Sequence, residues 1–137
     1  MIKINVICVG SLKENYLKDM QDEYLKRLSK YCKIEIITLN DEKLPTVLND
    51  ANIQITKEKE GKFIIQKLNY INGYNIILDE KGKEYTSVEF SKKLESISCN
   101  FSSTINIVIG GSLGLPDSVK EKAVRLFLFL NLLFLIK

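Results

Sequence analysis

Gly110, Gly111 and Gly114 of GGSLG follow directly on the apolar run Thr104–Ile109. Glycine has no Cβ, so the backbone there can approach a bound group closely and can take positive φ. Successive amides at a strand end can hold an anion or cradle an adenosine-like group. The pattern is not GxGxxG, and no Lys-Ser or Lys-Thr follows as in a phosphate-binding loop, so dinucleotides and triphosphates are disfavoured. The plain alternative is a tight turn joining strand to helix. Leu78 closes a second apolar run, over 74–78, and reads first as an ordinary core leucine, with a place at the same site as the lesser alternative. Asp79 and Glu80 follow it as solvated loop charges. No partner that would shift their pKa is visible in the sequence, so neither is assigned as a catalytic base. Lys13, Lys43, Lys81 and Lys83 fall after candidate strands and could attract a phosphate backbone, or could form a solvated face.

The chain has no histidine, which excludes Ser-His-Asp and Cys-His nucleophile systems and every histidine-containing metal site. Cys8, Cys32 and Cys99 are odd in number and widely spaced, with no disulfide or zinc pattern. Each lies in or beside an apolar run and is read as a buried free thiol, which fits a reducing, cytoplasmic setting. No metal is expected.

The elements that must carry these residues alternate. Ile2–Val9 reads as a central strand. Ser11 and Glu14 form a capping box for a helix to about residue 29, with Leu12, Tyr16, Met20, Tyr24 and Leu28 as its core stripe. Cys32–Leu39 is a strand with a more exposed face. A charged helix over 53–68 is weakened by Gly61 by about 1 kcal/mol relative to alanine, and its first half reads as loosely packed. A strand over 74–78 precedes a charged loop over 79–83. Thr86 and Glu89 cap a helix to about residue 98, with Val88, Leu94 and Ile97 facing the core and Phe90 near that face. Thr104–Ile109 is the fourth strand, and Pro116 suits the first turn of a helix running to about residue 125. The order predicts an α/β fold: one domain with a parallel sheet and helices on both faces. In such sheets ligands bind beyond the carboxyl ends of the strands, where the glycine loop falls.

The 137 residues make one domain, with 45% hydrophobic and 27% charged residues and a net charge of +3. That charge is a mild bias toward anionic partners such as nucleic acid. The start of the chain lacks signal-peptide flanks, and the apolar run after Leu126 is shorter than the roughly 20 residues of a membrane span, so no membrane partner is expected.

Taken together, IKINVICVGSLKENYLKDMQDEYLKRLSKYCKIEIITLNDEK, KEKEGKFI, NIILDEKGKEYTSVEFSKKL and INIVIGGSLGLPDSVKEKA, in this order and spacing, resemble the RlmH (YbeA-like) family of SPOUT-class methyltransferases. The resemblance covers about nine tenths of the chain. It implies an α/β knot, in which the C-terminal segment threads a loop and completes the cofactor pocket. It also implies S-adenosylmethionine as cofactor, methylation of N3 of a pseudouridine in 23S ribosomal RNA, the assembled ribosome as partner, and a homodimer. Leu78 and Gly110 match cofactor-contacting positions of the family, and Gly111 and Gly114 would shape the same loop. No residue here matches a catalytic base.

The resemblance ends near Arg125. Residues 1–125 are expected to form the methyltransferase-like domain, and residues 126–137 an aberrant tail in place of the knot segment. The family continues with a sequence similar to LSFSKLTFPHQ; written in AT-rich codons and read one base later, it becomes FLFLNLLFLI, with a partial codon able to give Lys. Residues 127–137 read FLFLNLLFLIK. A frameshift just before Phe127 is therefore expected, with an incomplete knot and weak or absent activity. A stretch of the tail could still form a buried strand. The competing expectations are a non-catalytic remnant that dimerises or binds ribosomal RNA, and an unrelated nucleotide-binding domain.

Overall fold

The computed structural model describes residues 2–40, 43–111, 113–121 and 125–128, and of residues 80, 81 and 125–128 the backbone alone. In chain order the elements are β1 (Ile2–Val9), α1 (Asn15–Leu28), β2 (Cys32–Leu39), α2 (Asp50–Tyr70), β3 (Tyr74–Glu84), α3 (Ser87–Asn100), β4 (Thr104–Ile109), α4 (Asp117–Lys120) and β5 (Arg125–Leu128). The strands form one sheet in the order β2-β1-β4-β3-β5, with every pairing parallel. Parallel strands covered on both faces need near-continuous apolar runs, and the Ile- and Val-rich β1, β3 and β4 supply them. β2, at an edge, is more exposed, as its alternation predicts.

The chain moves across the sheet in one direction through α2 and α4, and in the other through α1 and α3. Right-handed crossovers therefore put each pair on its own face. The core divides accordingly. On one face Ile64 and Leu68 of α2 and Val119 of α4 pack with Ile7, Ile77, Val108 and Leu115. On the other, Ile97 of α3 packs with Tyr74, Ile76 and Ile105, flanked by Phe90 and Leu94.

A polar ladder crosses the first face near the amino ends of the strands. Asn5, Asn106 and Asn75 stand at matching register positions on β1, β4 and β3. Asn5 Nδ2 donates to Asn106 Oδ1 at 3.0 Å. Asn106 Nδ2 donates to Asn75 Oδ1 at 3.0 Å and to the Ile71 carbonyl at 3.1 Å. A slip of one residue would turn each amide to the opposite face, so the ladder specifies register and ties the end of α2 to the sheet.

Several boundaries differ from the sequence expectation. Ser11 does not cap α1: the helix starts at Asn15, with Glu14 in the N-cap position and no side-chain cap. Gly10, at φ 82°, turns the chain off β1, and residues 11–14 cross to the helix layer. α1 buries no residue; Tyr16 and Tyr24 of the expected core stripe are 66% and 53% exposed. The first half of α2 is packed, with Thr56, Glu60 and Gly61 buried, because α4 lies against it. β3 continues through the expected charged loop to Glu84, with a register shift against β5 between Leu78 and Lys83. The Thr86–Glu89 capping box forms as expected, but Val88, on the outer side of α3, is 65% exposed. α4 stops at Lys120 with Pro116 as N-cap, and Arg125–Leu128 pairs with β3 as a strand. The large apolar residues after Arg125 suit a strand beside β3 better than a longer surface helix. The rest of the expected tail, residues 129–137, lies outside the described residues.

Candidate cofactor site

β3 and β4 are neighbours with Leu78 opposite Ile109, so Leu78, midway along β3, lies one register step before Gly110 at the carboxyl end of β4. The loop after β4 folds back on itself. The Gly114 amide donates to the Gly111 carbonyl at 3.0 Å, and Gly114 takes φ 85°, which disfavours any residue with a Cβ. A Cβ on Gly110 would lie 2.8 Å from Leu115 Cγ, whereas one on Gly114 would meet nothing within 4 Å. One side of the loop is thus packed and the other open. Leu78 thus stands beside the start of the loop that carries Gly110, Gly111 and Gly114.

Sequence reasoning missed the groups that hold this loop. The buried Glu60 carboxylate lies against Gly111: a Cβ there would be 3.2 Å from Oε1 and 3.5 Å from Oε2, with Val9 Cγ1 at 3.4 Å. Gly61, one residue on, lets α2 touch the start of α4, where Pro116 and Val119 are fully buried. Ser118 Oγ donates to Glu58 Oε2 at 3.0 Å. From the other side, Lys120 Nζ pairs with Asp79 Oδ2 at 2.9 Å. Asp79 is therefore not a solvated loop charge: its side chain is only 12% exposed, and its partner comes from a helix distant in sequence. KEKEG in α2 was the available signal, but a glutamate in a charged run gives no local sign of burial.

The lysines are less concentrated. Lys13 and Lys43 are exposed past the ends of β1 and β2, and Lys83 Nζ lies 5.1 Å from the centroid of the Tyr85 ring. The Lys81 side chain lies outside the description. Among the described residues no group of acids and thiols could hold a metal ion, and no helix is long and apolar enough to cross a membrane. Burial raises the thiol pKa of Cys8 and Cys32; for Cys8 the contact with Thr38 opposes that shift in part. Cys99 is exposed, contrary to expectation, because Ile97 takes the inward position of the last turn of α3. Two surface grooves, of about 440 and 330 Å³, lie at the opposite end of the sheet: one is lined by Lys3, Asn5, Glu35, Lys67 and Tyr70 among others, the second by Asn72, Gly73, Tyr74, Phe101 and Ser102.

The arrangement is a folded-back backbone loop, with Leu78 packed on one face of the sheet and Leu115 and the buried Glu60 carboxylate on the other.

A family model described as "Predicted SPOUT methyltransferase" matches residues 2–135. The chain is 48% identical over 122 residues to the "Ribosomal RNA large subunit methyltransferase H" of Enterococcus faecalis, covering 89% of this chain and 76% of that one. Identity is 50% over the same length and shares to the protein so named, with the suffix 1, in Clostridium perfringens. It is 44% over 128 residues to that of Lactobacillus delbrueckii subsp. bulgaricus, covering 93% of this chain and 80% of that one.

Proposed function

The chain belongs to the SPOUT methyltransferase family, and from that premise we propose that it methylates N3 of a pseudouridine in 23S ribosomal RNA, using S-adenosylmethionine. The observation that carries the reading is the register that sets Leu78 opposite Ile109, beside the folded-back loop at the carboxyl end of β4. Leu78 and Gly110 would pack on the adenosine, and Gly111 and Gly114 would give its backbone room. When bound, S-adenosylmethionine supplies an electrophilic methyl on a positively charged sulphur, which is left as a neutral thioether. The chain's own residues contribute position: holding two reactants in line accounts for much of the rate in such a transfer. The target nitrogen must lose its proton, and no described residue is placed as the base.

The partner is ribosomal RNA, taken as part of the assembled ribosome, and the working unit is a homodimer. The support for the dimer is α1, which repeats large apolar residues at helical spacing yet buries none; light scattering at micromolar concentration should give twice the chain mass. Residues 126–137 are read as a frame-shifted version of the family's C-terminal segment, which weakens donor binding and transfer. That is the observation favouring the second reading, a non-catalytic remnant that binds ribosomal RNA.

The test is methyl transfer from labelled S-adenosylmethionine to ribosomes lacking the modification, with the product mapped by mass spectrometry. The proposed function expects label at one pseudouridine, more strongly with the reading frame restored before Phe127. Donor-independent ribosome retention on filters with no label from either form would establish the second reading. Sequencing the gene past the codon for Arg125 tests the frame itself.

A further inference from the structure

Glu60 is 6% exposed, carries a carboxylate, and lies where α2 crosses the carboxyl ends of β1 and β4, against Val9 and Gly111. A buried carboxylate is costly unless it is partnered, and Glu60 is partnered. Its neighbours on α2 make it part of a clamp. Gly61 meets Pro116, and Glu58 accepts from Ser118, so three positions of one helix grip both the loop and the helix that follows it. Ile64 and Leu68, one and two turns further along α2, anchor it in the core, so the carboxylate is presented from a rigid element rather than from a loop.

We propose that Glu60 is a positioning and specificity-determining residue of the methyl-donor site: its buried carboxylate fixes the shape of the 110–114 loop and favours a cationic sulfonium donor over the neutral thioether left after transfer. The inference rests on the reading of this loop as the donor pocket. The donor and its thioether product differ in one methyl group and one positive charge. A negative charge in a low-dielectric wall distinguishes the two where apolar packing would not. Glu60 would thereby favour donor capture and product release together.

Glu60→Gln keeps the size and an acceptor oxygen and removes the charge; Glu60→Ala removes both. Lys62→Gln, on the exposed side of the same helix, is the control. Two measurements are made on the full chain. The first is amide exchange of residues 110–114 without ligand, in which Glu60→Ala should exchange at least tenfold faster and Lys62→Gln like the parent. The second is NMR titration with S-adenosylmethionine and S-adenosylhomocysteine to millimolar concentration. Glu60→Gln should weaken the sulfonium compound at least fivefold more than the thioether. Equal loss for both compounds, or no loss, overturns the charge role; unchanged loop exchange in Glu60→Ala overturns the positioning role. If the parent chain binds neither compound, the reading of the pocket falls and the charge role with it, while the exchange result still decides whether Glu60 positions the loop.

Discussion

Replacing Gly61 by alanine tests the packing that holds the loop, because sequence and structure predict opposite signs. In a solvated helix interior the change should stabilise by about 1 kcal/mol, since alanine is the better helix former. Here the new methyl would lie 2.5 Å from Pro116 Cγ, 3.0 Å from Val119 Cγ2 and 3.3 Å from Pro116 Cδ. Pro116 cannot swing away: its ring is closed on the backbone and fully buried at the start of α4. Inserting a methyl into such a contact costs about 1–3 kcal/mol, by displacing helices or bending rotamers. Less the propensity gain, the expected net is a loss of about 1 kcal/mol, or roughly 3–6 °C in Tm for a domain of this size.

The cycle with Pro116→Ala separates this from a generic effect. Removing the ring alone leaves a small cavity and should also destabilise. Combined with Gly61→Ala, the new methyl enters the vacated space, so the double variant should be more stable than the sum of the singles by about 1 kcal/mol or more. Urea melts of the four proteins at constant m-value provide the measurement. A rise in stability for Gly61→Ala alone, or strict additivity, would refute the claim that this glycine exists for close helix contact.

Asn106→Leu should lose about 2–4 kcal/mol by urea denaturation, because it strands the polar groups of Asn5, Asn75 and Ile71 that now share the buried ladder; a loss below about 1 kcal/mol would show the ladder to be dispensable. Asp79→Ala and Lys120→Met should each lose about 1–2 kcal/mol, less than a fully buried pair because Lys120 remains 27% exposed, and the double variant less than their sum; additive losses would mean the 2.9 Å contact contributes nothing. The folded-state pKa values of Cys8 and Cys32 are raised above 9.0, so the unfolded thiols ionise first. Stability from this source is intact below pH 9 and falls as pH rises past it; Cys8→Ala/Cys32→Ala should flatten that alkaline fall, and a thiol reagent at pH 8 should modify exposed Cys99 well before the other two.

The sheet was legible because its signals are local. Apolar or alternating runs bounded by Gly, Asn or Ser gave β1, β2 and β4 to the residue, and the Thr86–Glu89 box gave the start of α3. The apolar stripe of α1 had the right period but no information about what covers it: periodicity reports that a face is apolar, not that this chain supplies the other side. β3 and α4 were misjudged for a related reason. Asp79 and Lys83 read as loop because charges seldom enter strands, yet Asp79 is paired from α4, and only the fold brings Lys120 within reach. The glycine loop was visible as a loop; the groups that shape it, Glu58, Glu60 and Gly61, were not, because they sit on a charged helix some fifty residues earlier.

The two ends of the sheet are stabilised in different ways, and the difference bears on function. At the amino ends the asparagine ladder links three strands and the end of α2 by hydrogen bonds within the sheet's own layer. At the carboxyl ends, beside the glycine loop, the cross-links involve the helices instead: Glu58 to Ser118 and Gly61 to Pro116 join α2 to α4 within one layer, and Asp79 to Lys120 joins the sheet to that layer. Among the described residues the loop bridges only to itself, Gly111 to Gly114, with α2 against it on one side and the β3–α4 ion pair on the other. A change in either should reach Gly110 and Gly111 without touching them. The ladder at the opposite end of the sheet has no such route, so its variants should lower stability while leaving the exchange pattern of residues 110–114 in the folded state unaltered.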